Sequence, residues 1–299
     1  MRAVQFEQYG DPSVLHVGDA PDPHAGPGQV RIVVEASGVN AFDWKVRSGM
    51  LKDAIPLDLP HVLGLEAAGV VDEVGEGVVG VAVGDRVFGN GSATYAELAV
   101  LKAFAPIPVA LTMAEAAALP VSVETAARLL DLLELHPGGL LVVDGASGGV
   151  GTGLVQLAVA RGLVVVGTAS EANHGYLREL GAIPTTYGAG LADRVHALVD
   201  QPVAGALDLA GKGGVPDLVA LTGDPDRVAT IADYGAAAQG VTVSSTASAY
   251  YALGEVGRLV EEGRFRVIVD EEIPWTEAAR AHERSESGHA RGKLVLAVG

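Results

Sequence analysis

The sequence predicts an α/β protein in two parts: an irregular, β-rich part and a doubly wound parallel sheet. Three observations carry that prediction. Residues 1 to about 110 are rich in Val and Gly, alternate over short runs, and contain no clear helix longer than about two turns. From about residue 113, continuous apolar strands alternate with segments of helical spacing. Within that second texture, a strand, a glycine turn and a helix follow one another between Leu140 and Arg161. The chain has 299 residues, which suggests about two domains and is enough to bury roughly 75% of the unfolded surface without a staple.

In chain order, Arg2–Phe6 alternates as a strand. Gln29–Ala36, Gly69–Val74 and Asp85–Phe88 do the same, with Gly75, Gly77, Gly80 and Gly84 marking turns. Together they read as a small antiparallel barrel or sandwich. Met113–Leu119 and Glu124–Leu135 have helical spacing, and His136-Pro137-Gly138-Gly139 stops the second. Strand Leu140–Val143, helix Gly149–Arg161, strand Leu163–Gly167 and helix Asn173–Leu180 follow. Helix Leu191–Val199 precedes strands at Ala206–Leu209, Val228–Ile231 and Val241–Val243. This alternation predicts parallel strands covered on both faces. Helix Tyr250–Glu262, segment Phe265–Val269, a helix near Thr276–Ser285 and strand Lys293–Val298 return to the first style. The expected division is residues 1–115, 116–248 and 249–299.

Composition removes several classes of function. The chain has no cysteine, so disulfides, thiolate nucleophiles, iron–sulfur clusters and cysteine-bearing zinc sites are excluded. The formal net charge of −17 argues against nucleic acid or an anionic membrane as partner. Met1 leads directly into a strand pattern, with no signal-type apolar region and no membrane-spanning run; a cytoplasmic enzyme is the expectation. None of the 8 histidines has metal-ligand spacing. They read as surface or turn residues, and no metal site is expected.

The most informative segment is Leu140-Leu141-Val142-Val143-Asp144-Gly145-Ala146-Ser147-Gly148-Gly149-Val150-Gly151. Small residues let backbone approach a pyrophosphate, and the free amides and positive end of the following helix hold the phosphates. Ala146, Ser147, Gly148, Gly149 and Val150 are therefore expected to contact a dinucleotide. An NAD site usually places an acid at the end of the second strand. Here Gly167-Thr168-Ala169-Ser170 stands there, leaving room for a 2′-phosphate, so Thr168 and Ser170 favour NADP. Gly145-Ala146-Ser147-Gly148-Gly149 also satisfies the G-x-S-x-G pattern of a serine hydrolase, with Asp208 and His282 or His289 in the right order. A dinucleotide-binding protein without catalysis is a further alternative.

Several longer segments carry a resemblance: Val39-Asn40-Ala41-Phe42-Asp43-Trp44-Lys45-Val46-Arg47-Ser48-Gly49, Pro60-His61-Val62-Leu63-Gly64-Leu65-Glu66-Ala67-Ala68-Gly69-Val70-Val71, Val83-Gly84-Asp85-Arg86-Val87-Phe88, Ala116-Ala117-Ala118-Leu119-Pro120, Leu180-Gly181-Ala182 and Arg291-Gly292-Lys293-Leu294-Val295-Leu296. Over nearly its full length the chain resembles a zinc-independent medium-chain dehydrogenase/reductase of the quinone-oxidoreductase-like group. The resemblance implies a GroES-like catalytic domain built from both ends of the chain, and a Rossmann domain between them. Zinc-dependent relatives carry Cys and His where Asn40 and Leu65 stand here. The implied chemistry is hydride transfer from NADPH to a small electrophilic acceptor: a quinone, an enone or an enoyl thioester. Asn40 would lie by the nicotinamide and the Asp43-Trp44-Lys45 segment would border the cleft, making Asn40, Asp43 and Lys45 the catalytic candidates. Thr125, Tyr187, Leu209, Ile231 and Lys293 would complete the cofactor contacts. No Tyr follows Gly49, and Ala172 stands where close relatives often have Arg. Related reductases pair edge strands across a two-fold axis, so a homodimer through Gly240–Ser244 is expected.

Overall fold

The computed structural model describes residues 1–244 and 248–299. The chain divides into two compact units, Met1–Val121 with Leu253–Gly299, and Ser122–Ala252. The first opens with strands β1 (Arg2–Phe6), β2 (His16–Asp19) and β3 (Val30–Val39), helix α1 (Ala41–Arg47), strands β4 (His61–Val62), β5 (Glu66–Val74), β6 (Arg86–Ser92) and β7 (Leu98–Pro106), and helix α2 (Met113–Ala117). β2, β1 and β4 form a small antiparallel sheet. β3 pairs with β5, β5 with β6, β6 with β7, and β7 returns to β3. That closure leaves these strands no free edge among themselves, and Val30, Ile32, Val34, Ala67, Val71, Val87, Ala99 and Leu101 fill the interior.

The second unit takes helix α3 (Pro120–Leu133) from Ser122 onward. It continues as β8 (Leu140–Asp144), α4 (Gly149–Ala160), β9 (Val164–Thr168), α5 (His174–Glu179), β10 (Ile183–Thr185), α6 (Leu191–Leu198), β11 (Val203–Asp208), α7 (Val215–Thr222), β12 (Val228–Thr230) and β13 (Thr242–Val243). Its strands are parallel in the order β10-β9-β8-β11-β12-β13. This is the Rossmann order, which reverses direction beside the first strand and brings the ligand to the carboxyl ends there. β8 is buried along its whole length, as a strand covered on both faces must be. Helix α7 was not among the expected elements: nothing was read between strands Ala206–Leu209 and Val228–Ile231. The structure places Pro216 in the helix's first turn, where its missing N–H costs nothing. Pro120 likewise starts α3 earlier than the apolar spacing implied.

After α8 (Ala252–Glu261) the chain forms β14 (Val269–Pro274), α9 (Ala278–Glu286) and β15 (Lys293–Ala297). β15 runs antiparallel to β3, and β14 parallel to β15, extending the first unit's larger sheet to six strands. Leu294, Leu296, Ala278 and Ala281 thereby share a core with Phe6, Val39, Val46 and Tyr95. Among the described residues no helix is long and apolar enough to cross a membrane.

Candidate active site

In the Rossmann unit, β8 ends in a turn that Gly145 makes possible, with φ +84. The turn is strapped to the end of β9: the Gly145 N–H donates to the Thr168 hydroxyl at 3.1 Å, and the Ala146 N–H to the Thr168 carbonyl at 3.1 Å. The Thr168 hydroxyl in turn donates to Asp144, whose carboxyl burial pushes above the ordinary range. A Cβ at Gly151 would stand 2.4 Å from the Gly145 carbonyl oxygen, and one at Gly167 2.7 Å from the Ala146 methyl. The turn therefore meets α4 on one side and β9 on the other at distances only glycine allows. Gly148 caps α4 without a side chain, and the first turn carries no acid, so its first amides, which have no intrahelical partner, suit an anion.

These residues fit a dinucleotide pyrophosphate, but they divide the work differently from the sequence expectation. Ser147, Gly148, Gly149 and Val150 are partly exposed, while Ala146 and Thr168 are buried and brace the turn from beneath. Ser170 is exposed and accepts from the Asn173 side chain at 3.4 Å. Tyr187 is exposed in a loop held by Arg194, whose guanidinium donates to the carbonyls of Thr186, Gly188 and Ala189 at 2.9, 3.0 and 2.7 Å. Leu209 runs beside the turn: its carbonyl carbon is 3.4 Å from where a Gly145 Cβ would be. Ile231 follows β12, its N–H donating to the Asp208 carbonyl at 3.2 Å. Thr125 is buried with its hydroxyl 3.4 Å from both Glu124 and Arg128. Arg128 also reaches the Ser244 carbonyl at 3.0 Å.

In the first unit, Asn40 leads into α1, and its N–H donates to the Asp43 carboxylate at 2.7 Å. The Tyr95 hydroxyl donates to the same oxygen at 3.0 Å. Burial raises Asp43 to about 6, against the pull of those hydrogen bonds and of Lys293. The Asn40 carboxamide meets two charged partners. Lys293 Nζ donates to Oδ1 at 2.5 Å, and Nδ2 donates to Glu66 at 2.9 Å. Lys293 and Glu66 pair directly at 2.6 Å, both buried. Asn40, Asp43 and Lys293 thus come together. Lys45 does not share Asp43's face, as residues two apart on a helix cannot; its ammonium lies 5.8 Å from the centre of the Trp44 ring. Sequence reasoning missed Glu66 and Tyr95. The signal for Glu66 was a carboxylate among small residues at the start of a strand.

One histidine expectation is corrected. His282 is not a surface or turn residue: it shares the buried face of α9 with Ala278 and Ala281 and lies edge-on to Tyr95 at 6.0 Å. Burial and the Arg47 charge lower it to about 3. The hydrolase relay also fails on Asp208. One carboxylate oxygen accepts the Ala210 and Gly211 amides at 3.0 and 2.8 Å, and the other the Thr230 hydroxyl at 2.7 Å. Among the described residues no group of three or more His, Cys, Asp or Glu side chains could hold a metal ion.

Comparison with known proteins agrees with this architecture. Residues 26–110 match the alcohol dehydrogenase GroES-like domain, and residues 185–296 the family described as zinc-binding dehydrogenase. The chain is 30% identical to the rat (Rattus norvegicus) quinone oxidoreductase, covering 99% of this chain and 97% of that protein. The chain belongs to the quinone-oxidoreductase-like medium-chain dehydrogenase/reductase family. Membership makes it an oxidoreductase of that superfamily. A quinone oxidoreductase from Coxiella burnetii superimposes with a TM-score of 0.86 at 30% identity, over 100% of this chain and 99% of that one. A mycobacterial member solved in complex with NADPH gives 0.85 at 27% identity, over 100% of both chains. The pikromycin polyketide synthase component PikAII of Streptomyces venezuelae is 40% identical over 65% of this chain, yet the match spans just 6% of that much longer protein.

Proposed function

We propose that this protein is a zinc-independent, NADPH-dependent reductase that delivers hydride to a small acceptor already electrophilic in itself, a quinone or an enone. When bound, the dinucleotide supplies the hydride. The observation that carries the reading is the glycine turn into an uncapped α4, beside a β9 whose end presents Thr168, Ala169 and Ser170 rather than an acid. The amides of Gly149 and Val150 hold the pyrophosphate, with Ser147 at the lip, Gly148 closing the turn through its own N–H on the Gly145 carbonyl at 3.2 Å, and Ala146 and Thr168 keeping the turn in shape. Exposed Ser170 leaves space for a 2′-phosphate, and Tyr187, in the loop held by Arg194, flanks the adenine. Thr125, Leu209 and Ile231 are assigned to the cofactor, and Asn40, with Asp43 behind it, to the acceptor; Lys45, on another face of α1, is left out of that group. Among the described residues no set could hold a metal ion, and on this reading the acceptor's own electrophilicity, proximity and hydrogen bonding lower the barrier.

A second reading, reduction of an enoyl thioester, is favoured by the similarity to polyketide synthase components. Similarity over nearly the full length to quinone oxidoreductases is why quinones and enones come first. The proposal includes a cytoplasmic enzyme and a homodimer through β13, the last strand of its sheet. Fluorescence titration tests the cofactor assignment. NADPH is expected to bind more tightly than NADH; equal affinities, or no binding of either, would refute it.

A further inference from the structure

A carboxamide is nearly symmetric in shape but not in hydrogen bonding: one end accepts and the other donates. Both ends of Asn40 are held by charged groups. Lys293 donates to Oδ1 at 2.5 Å, Nδ2 donates to Glu66 Oε1 at 2.9 Å, and Lys293 closes the triangle on the same Glu66 oxygen at 2.6 Å. Turned by half a rotation, the amide would set its NH2 against the ammonium and its oxygen against the carboxylate. Both bonds would be lost and two repulsions gained.

The triangle is itself fixed. Glu66 Oε2 accepts the Val121 N–H at 2.7 Å. Gly38 makes room for the carboxylate, since a Cβ there would stand 2.3 Å from Oε1 and 2.7 Å from the Ala117 carbonyl oxygen. The Asn40 backbone is tied to Asp43 at 2.7 Å. A buried ion pair is a poor device for stability, because apolar residues of like volume often do as well or better. Its best-attested use is to specify one arrangement. Asn40, unlike Glu66 and Lys293, is only partly buried, so the arrangement being specified reaches the surface.

We infer that Glu66 and Lys293 are positioning residues that lock the Asn40 carboxamide in one orientation, leaving its second N–H as the donor to the acceptor's oxygen. The inference rests on the hydride-transfer reading above. It also gives Lys293 a task other than contact with the cofactor.

The test is the double variant Glu66→Leu/Lys293→Met, which removes both charges together. Two quantities are read: the side-chain amide resonances of Asn40 in 15N-labelled protein, assigned by their loss in Asn40→Ser, and steady-state kinetics with NADPH and a neutral quinone. The resonances are expected to move and to exchange with solvent faster. Turnover at saturation should fall by about tenfold to a hundredfold, the scale of a misplaced group, while NADPH affinity stays unchanged. Glu66→Asp, which keeps the charge but withdraws the carboxylate by one methylene, should move both readouts less in the same direction and decides the matter if the double variant does not fold. Lys293→Arg should retain most of the turnover. Wild-type resonances and turnover in the variants would overturn the inference, as would weakened NADPH binding with unchanged turnover. If the wild-type protein reduces no acceptor, the hydride reading fails. The resonances then decide the lock: moved upholds it, unmoved overturns it.

Discussion

The two candidate regions are built from opposite materials. The glycine turn is made of backbone: Gly145, Gly148, Gly149 and Gly151 contribute absent side chains, and its charge complement is a helix end. The Asn40 region is made of side chains: a buried carboxylate, an ammonium, an aspartic acid near 6 and a tyrosine, brought from four separated segments. Backbone sites bind because nothing is in the way, so they fail by steric addition. Side-chain sites act because charges are held out of water, so they fail by protonation and by loss of a partner. The difference dictates how each should be broken.

The largest effect is expected for Gly151→Val. Its Cβ would stand 2.4 Å from the Gly145 carbonyl oxygen and 2.6 Å from that of Ala146, and backbone cannot yield as a side-chain tip does. Dinucleotide affinity should fall by more than about a hundredfold, or roughly 3 kcal/mol, as measured by titration. Affinity within a factor of three of wild type would remove the turn from the account.

Protonation breaks the other region. His282 is neutral in the fold and lowered to about 3, so the unfolded chain binds the extra proton between pH 3 and the ordinary histidine value. Stability is therefore lost as pH falls through that window. His282→Leu should remove this dependence, gaining about 3 kcal/mol at pH 4.5 relative to its effect at pH 8, read by urea unfolding at both pH values. An equal effect at both would show that the imidazole is not held neutral. Asp43 has the opposite sign. Raised to about 6, it binds its proton more tightly in the fold, so its contribution is full below the ordinary aspartate value and is lost as pH rises through 6. The wild type should lose up to about 3 kcal/mol relative to Asp43→Asn between pH 4 and 6.5; parallel curves would contradict the raised value.

The smallest effect sharpens the cofactor end of the turn. Ser170→Asp places a carboxylate where a 2′-phosphate is proposed to lie. The ratio of NADH to NADPH affinity should rise about tenfold, or about 1.4 kcal/mol. An unchanged ratio would separate Ser170 from the ribose.

The same contrast explains what was legible in the sequence. The Rossmann sheet and its turn were readable because strand, turn and helix lie within residues 140–161 and their spacing is local. The irregular barrel was visible as short alternations, but its closure through β3 and β7 was not, since that pairing joins Val30 to Leu101. Asn40 and Asp43 were named with Lys45 as catalytic candidates, and Lys293 as a cofactor contact. The triangle that unites Asn40 with Lys293 through Glu66 spans 253 positions, and no periodicity records a contact of that range. His282 was misread because its polar type hid its place on the apolar face of α9.

The central claim is that hydride passes from NADPH to an acceptor electrophilic enough to need no metal. The direct measurement is NADPH consumption by protein dialysed against a chelator, across a panel of quinones, enones and enoyl thioesters. The account predicts turnover of neutral quinones or enones that survives dialysis and is not raised by added zinc. NADPH oxidation that disappears with the chelator and returns with stoichiometric zinc, or that no acceptor in the panel supports, would contradict it.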